Sequence, residues 1–319
     1  MATGLVTVFG GSGFVGRHVV KRLAQTGVRV RVAVRRPEKA LFLRPMGDVG
    51  QVELVQANIR DDASVAAAVS GADAVINLVG LLYESGPQKF TEVHAKGAAR
   101  VAAACSAAGI RRFVQVSAIG ADEDSDSAYA RTKAEGEARV QEAFPGATII
   151  RPSLMFGADD DFFNRFASIA RMLWVMPLLG FGETRFQPAY VADVATAIVT
   201  VIEDTGAAGK TFELGGPKVY SYKQLMALLL EACGRKRFLV PVPPQIIKMW
   251  AWFLQILPSP ILTVDQVKML SVDNVVSEGA ANFDDLGIAP TSAEAVLPTY
   301  LWRFRPAGQF TAPGVHSGP

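Results

Sequence analysis

A chain of 319 residues is long enough for one large α/β domain or two modest ones around a well-buried core. Half of its residues are hydrophobic and 19% are charged, which excludes a disordered polymer, and a net charge of +2 supplies no basic surface for nucleic acid. The mean hydropathy of +0.24 is high for a cytosolic enzyme and calls for a large core or a face buried against a partner or membrane.

The first strand is read at Leu5–Phe9, leaving no room before it for a secretory or transit segment, so an unprocessed cytoplasmic chain is expected. Val15–Thr26 places Val15, Val19, Val20 and Leu23 at helical spacing. Arg29–Val34 and Val52–Gln56 read as the second and third strands, followed by a helix from about Asp62 to Ser70. Ala74–Val79 is an unbroken apolar run, suited to a central strand covered on both faces. Phe90–Ala108 reads as a long Ala-rich helix, Phe113–Ser117 as a strand, Ala128–Ala143 as a helix and Ala147–Ile150 as a strand ending at Arg151-Pro152. This alternation predicts a Rossmann-type α/β fold, a doubly wound parallel sheet, over residues 1–157.

Beyond Pro152 the alternation loosens. Phe162–Leu173, Val191–Glu203 and Tyr222–Cys233 read as helices of a smaller, mostly helical C-terminal region over 158–304, interleaved with the first domain. Its most hydrophobic stretch, Ile246–Leu262, carries Lys248 and Gln255 and is broken by Pro258 and Pro260, so it cannot supply the roughly 18 apolar residues that span a bilayer. The stripe Ile246, Ile247, Trp250, Phe253, Leu254 and Leu257 suits either closure over the chain's own core or a seat on lipid or a partner. Residues 305–319, rich in Gly and Pro, are expected to form an extended tail. Cys105 and Cys233 lie in apolar helical runs and read as buried thiols, and Asp284–Gly287 reads as a helix end, so no metal site is expected.

Gly10-Gly11-Ser12-Gly13-Phe14-Val15-Gly16 stands directly after a strand and before a helix. Gly10 permits the tight turn, Gly13 removes a side chain where a pyrophosphate approaches the backbone, and Gly16 lets helix and strand pack closely. The phosphates then meet the free N–H groups and positive dipole of the helix. The second strand ends Ala33-Val34-Arg35-Arg36, with no carboxylate to select an NAD ribose. Two guanidinium groups there suit a 2′-phosphate, so the expected ligand is NADP(H), and Arg17 is placed to add a third contact. Asn58 and Ile59, after the third strand, are placed to bracket the adenine, while Leu78, Val79 and Gly80 bring backbone close to the cofactor.

Tyr129 and Lys133 are four apart on a helix and share a face. An ammonium beside a phenol favours the phenolate, which lets the phenol exchange a proton with a carbonyl or hydroxyl as hydride moves. With Val116 and Ser117 at the end of the preceding strand, and Pro152 and Ser153 at the end of the next, these residues make up the remaining candidate site.

The glycine loop, Asn58-Ile59, Leu78-Val79-Gly80, Ser117, Tyr129, Lys133 and Arg151–Gly157 resemble the extended or atypical short-chain dehydrogenase/reductase superfamily. So does Gln187–Ala195, and the resemblance covers residues 5 to about 235. It implies a catalytic role for Tyr129, Lys133 and Ser117. Against the family's pattern, a single serine remains in Ser117-Ala118-Ile119, and His94 stands where extended members commonly carry an asparagine. The catalytic set therefore reads as vestigial.

Leu43–Gln51, Ala143–Ala147, Phe163–Ser168 and Asp284–Ile288 are similar to the corresponding stretches of the NADPH-binding accessory subunits of respiratory complex I. That resemblance runs from about residue 5 to 290, with an echo at Tyr300-Leu301-Trp302-Arg303. It implies a tightly held, structural NADPH and a peripheral, membrane-associated role in an NADH:ubiquinone oxidoreductase. The partners implied are other subunits of that complex near its quinone-site junction, with lipid against the apolar C-terminal face. A bacterial chain would lie on the cytoplasmic side of the membrane and a mitochondrial one on the matrix side. The competing expectation is a free NADPH-dependent reductase or epimerase using Tyr129 and Lys133.

Overall fold

The computed structural model describes residues 4–255, 260 and 262–310. They fall into two compact units, the first made of residues up to 152 with 192–214 and 277–288, the second of 153–191, 215–276 and the segment from 289 onward.

The first unit contains β1 (Leu5–Phe9), α1 (Phe14–Gln25), β2 (Arg29–Val34), β3 (Val52–Gln56), α2 (Asp62–Val69), β4 (Ala74–Asn77), α3 (Lys96–Ala107), β5 (Arg112–Val116), α4 (Ala128–Ala143), β6 (Thr148–Pro152), α5 (Val191–Glu203) and β7 (Thr211–Leu214). The strands form one seven-stranded sheet in the order β7-β6-β5-β4-β1-β2-β3, with every pairing parallel. β1 and β4 are buried at every residue, as the continuous apolar runs require of central strands. The strand order reverses between β1 and β4, where the loops leaving the two strands diverge and open a crevice at the carboxyl edge.

Two expected elements end differently, for identifiable reasons. The fourth strand stops at Asn77 because its side chain turns the chain: Oδ1 accepts from the Val79 N–H at 3.2 Å and Nδ2 donates to Gln115 Oε1 at 2.8 Å. The helix expected from Phe90 opens with a π turn, Thr91–Ala95, before α3 begins. α4 lies hard against that turn, and a Cβ on Gly136 would stand 2.2 Å from the His94 carbonyl oxygen. The free thiols Cys105 and Cys233 are both buried, as expected.

At the edge beside β7, Arg151 forks onto Glu137 of α4, with Nη2 2.6 Å from Oε2, and its Nη1 reaches Glu213 of β7 at 3.4 Å. Glu213 also accepts the Ser277 N–H at 2.8 Å, which fastens the 277–288 segment to the sheet. Such a cluster stays favourable only while both carboxylates keep their cation.

The second unit packs helices Phe162–Met172, Tyr222–Ala232 and Ala293–Leu301 around Phe163, Met176, Leu225, Leu229 and Leu297. A parallel strand pair, Val175–Leu179 with Phe238–Val242, borders this core. Asp160 opens the first of these helices. Its buried carboxylate takes N–H groups from Gly157, Phe163 and Asn164 and the Tyr300 hydroxyl at 2.5 Å. Burial raises its pKa against those bonds. Tyr300→Phe should therefore cost about 1–3 kcal/mol in denaturant unfolding, because it leaves part of a buried carboxylate unsatisfied. A cost below about 0.5 kcal/mol would count against that role.

The helix Pro244–Leu254 divides the apolar stripe. Ile247 and Ala251 face the core, while Ile246, Met249, Trp250, Trp252 and Phe253 are exposed. Met172, Trp174, Phe181 and Phe238 of the same unit are exposed as well. Leu257 of the stripe lies outside the described residues. Among the described residues no helix is long and apolar enough to cross a membrane. In the stretch expected as tail, Arg305 Nε donates to the Ala232 carbonyl and Gly308–Phe310 forms a 3-10 turn; residues 311–319 lie outside the described residues.

Candidate dinucleotide site

The glycine loop leaves β1 through Gly10, whose φ of +76° is the left-handed conformation that favours glycine. Its N–H donates to the Ala33 carbonyl of β2, and Gly13 N–H donates back to the Gly10 carbonyl at 3.0 Å. A Cβ on Gly16 would meet Gly10 O and Gly11 Cα at 2.5 Å. Gly16 thus packs on the loop's own backbone. The helix-to-strand packing expected of it falls to Gly11, where a Cβ would lie 2.7 Å from Val32 Cγ1 and 3.1 Å from Val20 Cγ2. Sequence reasoning gave Gly11 no role, although its place inside the motif was visible. Gly13 is exposed and opens α1, which has no side-chain cap and no acidic residue in its first turn. An anion at this helix end meets N–H groups and the positive dipole with no competing carboxylate. Ser12, Phe14 and Val15 line the same loop and are partly buried.

Arg35 and Arg36 stand exposed at the end of β2. Arg35 borders a cavity of about 380 Å³ together with Gln56, Ala57, Asn58, Asp61 and Ser64. The acid in that wall caps α2, since Asp61 Oδ1 takes the Ser64 N–H at 2.6 Å. Ser64 Oγ in turn accepts the Asn58 N–H, and Asn58 Oδ1 accepts from the Arg60 N–H. Ile59, expected beside the adenine, points its side chain into the core with Ala98 and Val101. The guanidinium of Arg17 lies over the Phe42 ring, 5.4 Å from its centroid.

On the far side of β1, Leu78 N–H donates to the Phe9 carbonyl and sets the loop through Val79 to Gly80. A Cβ on Gly80 would approach Lys133 Nζ at 3.4 Å and His94 Nε2 at 3.8 Å, so this loop borders the Tyr129–Lys133 helix. Lys133 Nζ donates to the Val116 carbonyl at 3.3 Å and lies 5.8 Å from the Tyr129 ring centroid. Burial pulls the Lys133 pKa down to about 8, against an opposing pull from Glu137 one turn away. At pH 7 the amine is still mostly protonated, but it gives up its charge at a lower pH than an exposed lysine does.

His94 joins the two elements. Its Nε2 accepts the Leu81 N–H at 2.9 Å, which leaves the proton on Nδ1, 3.2 Å from Thr132 Oγ1 on α4. The ring stacks on Phe90 at 5.2 Å and meets the Tyr129 ring edge-on at the same distance. Burial first, and the Lys133 charge second, push its pKa down to about 2, so the imidazole is neutral. Ser117 Oγ is buried without a hydrogen-bond partner among the described residues. The uncapped, acid-free start of α1 at the exposed Gly13 and the buried, unpartnered Ser117 hydroxyl at the end of β5 both fit a polar ligand such as a dinucleotide. Pro152 is buried at the end of β6. Ser153 belongs to the second unit, where its hydroxyl bonds to Asn274 Oδ1 at 2.7 Å. Among the described residues no cluster of His, Cys, Asp and Glu could hold a metal.

These features define a dinucleotide-binding short-chain reductase fold, and the model of the NAD dependent epimerase/dehydratase family matches residues 6–215. Within that class, the chain belongs to the family of NADH:ubiquinone oxidoreductase subunits known as alpha subcomplex subunit 9 or the 40 kDa subunit. It is 37% identical over 316 residues to the NADH dehydrogenase (ubiquinone) 1 alpha subcomplex subunit 9, mitochondrial, of Arabidopsis thaliana, spanning 95% of this chain and 79% of that one. It is 33% identical over 308 residues to the NADH-ubiquinone oxidoreductase 40 kDa subunit, mitochondrial, of Neurospora crassa, spanning 96% and 81%. A nucleoside-diphosphate-sugar epimerase from Staphylococcus aureus shares the fold at a TM-score of 0.75, with 15% identity over 93% of this chain and 99% of that one.

Proposed function

We propose that this chain is a non-catalytic, NADP(H)-binding accessory subunit of a proton-pumping NADH:ubiquinone oxidoreductase. The observation that carries this reading is kinship along nearly the whole chain, through both units, to subunits of that complex. The cofactor is tightly held NADPH, grasped by the glycine loop and by Arg35 and Arg36, and it acts as part of the structure. The exposed Trp174, Phe181, Phe238, Trp250 and Phe253 of the second unit offer apolar contacts to other subunits near the quinone-site junction, or to lipid, on the cytoplasmic or matrix side. NADPH, when bound, would carry a hydride, but the chain's own residues serve it poorly. His94 is neutral, and Ala118 and Ile119 stand where further hydroxyls would assist Tyr129. The second reading, a free NADPH-dependent reductase or epimerase, draws on the Tyr129–Lys133 pair and the orphaned Ser117 hydroxyl.

The test is purification of a tagged chain from gently solubilised membranes. Co-elution with flavin and iron–sulfur subunits, together with released NADP(H), is expected. Recovery only as a soluble monomer or dimer would overturn the subunit reading. Tyr129→Phe should leave assembly and bound nucleotide unchanged; loss of complex activity with assembly intact would instead favour chemistry at this site.

A further inference from the structure

The arginine pair at the end of β2 leaves the stretch that follows it unexplained. That stretch, Pro37–Met46, is a 3-10 segment, and it is firmly seated. Ala40 and Leu43 are fully buried, and beyond it Gln51 Nε2 donates to the carbonyls of Ala24, in the last turn of α1, and Val28, just before β2. Gln51 Oε1 takes the Asp48 N–H at 2.8 Å, which closes the return loop. Phe42, 44% exposed, is held between these anchors, with the Arg17 guanidinium 5.4 Å from its ring centroid.

Arg17 sits in the first turns of α1, four residues beyond Gly13, and helical side chains lean toward the helix N-terminus. That direction takes the guanidinium toward the phosphate-binding end. Gly10 N–H is bonded to Ala33 O, two residues before Arg35, so the end of β2 is fastened to the same loop. We propose that Phe42 is a positioning residue of the dinucleotide site, holding Arg17 as the third guanidinium for the adenosine 2′-phosphate. An aromatic ring holds a guanidinium by cation–π attraction without itself using the N–H donors that a phosphate would need. A long side chain otherwise loses much rotamer freedom when a ligand recruits it, and the ring removes part of that loss before binding. The stretch 37–51 is then a strap from the arginine pair back to α1, and Phe42 is its functional residue.

This inference rests on the NADP(H) reading above, and the test separates the two. Dissociation constants for NADPH and NADH are measured on the nucleotide-stripped full chain and on Phe42→Ala, Phe42→Leu and Phe42→Trp. The Ala and Leu variants should weaken NADPH about tenfold and leave NADH unchanged, while Trp keeps the wild-type ratio. Leu retains apolar bulk, so its loss marks the π face. Unfolding temperatures without nucleotide should fall by no more than about 5 °C, since the ring is only half buried, and a general loss of stability would weaken both nucleotides alike. Ala and Leu variants with the wild-type NADPH-to-NADH ratio, or with equal loss of both nucleotides, would overturn the role of Phe42. A wild-type chain that prefers NADH would overturn the NADP(H) reading itself.

Discussion

Gly16→Val is expected to purify without nucleotide and to unfold at a markedly lower temperature than the parent chain. Even the first carbon of the new side chain would lie 2.5 Å from Gly10 O and Gly11 Cα, against backbone that cannot turn aside. Overpacking of that kind costs about 1–3 kcal/mol, and more where only backbone can move. A second loss adds to it. A ligand present at 100 times its Kd stabilises the folded state by about 2.7 kcal/mol, and a broken cradle forfeits that. Gly27→Ala is the control. Its φ of +82° also favours glycine, but nothing lies within 4 Å of a Cβ there, so it should cost about 1 kcal/mol and keep the nucleotide. Bound nucleotide and thermal unfolding report both effects. A Gly16→Val chain that retained stoichiometric NADP(H) would place the pyrophosphate somewhere other than this loop.

The contrast between these two glycines shows what the sequence made legible. Gly16 declares itself through spacing after a strand and before an amphipathic helix, and the alternation through β6 declares the parallel sheet. The site was legible where a residue type had a chemical reason at its position: the arginines replacing an acid after β2, and Tyr129 with Lys133 on one helix face. Other features carried no such signal. The paired strands Val175–Leu179 and Phe238–Val242 each contain a proline, Pro177 and Pro241, and lie about 60 residues apart, so neither pattern nor proximity announces them. The helix Pro244–Leu254 is apolar nearly all round, and periodicity cannot say which side faces a core. Pro37 and Pro45 disguise the 3-10 strap as a loop, although Leu43–Gln51 carries part of the family resemblance. Gly11 and Gly136 do their packing against residues remote in sequence, which only the fold brings near.

His94 stands where the family commonly carries an asparagine, and the structure supplies the consequence. As a neutral ring it ties the loop after β4, through the Leu81 N–H, to α4, through Thr132, and so holds the Tyr129–Lys133 helix against the crevice. Folding depresses its pKa from 6.5 to about 2. The stability that depends on the neutral ring is fully present above pH 6.5, because neither state binds the proton there. It is lost as pH falls toward 2, since the unfolded chain takes up a proton that the folded chain refuses. One such proton contributes a slope of about 1.4 kcal/mol per pH unit, or about 2 kcal/mol between pH 6.5 and 5. Lys133, depressed to about 8, bends the curve in the same sense at higher pH, with stability rising from about pH 8 toward 10.5. His94→Asn keeps a side-chain oxygen for the Leu81 N–H and has nothing to titrate. Its unfolding free energy should therefore fall less steeply on acidification, by close to one proton, whatever its stability at pH 7. Denaturant unfolding of both chains at pH 7, 6 and 5 makes the comparison. Parallel curves would mean that the folded site accepts the proton, and the latch could not then depend on a neutral imidazole.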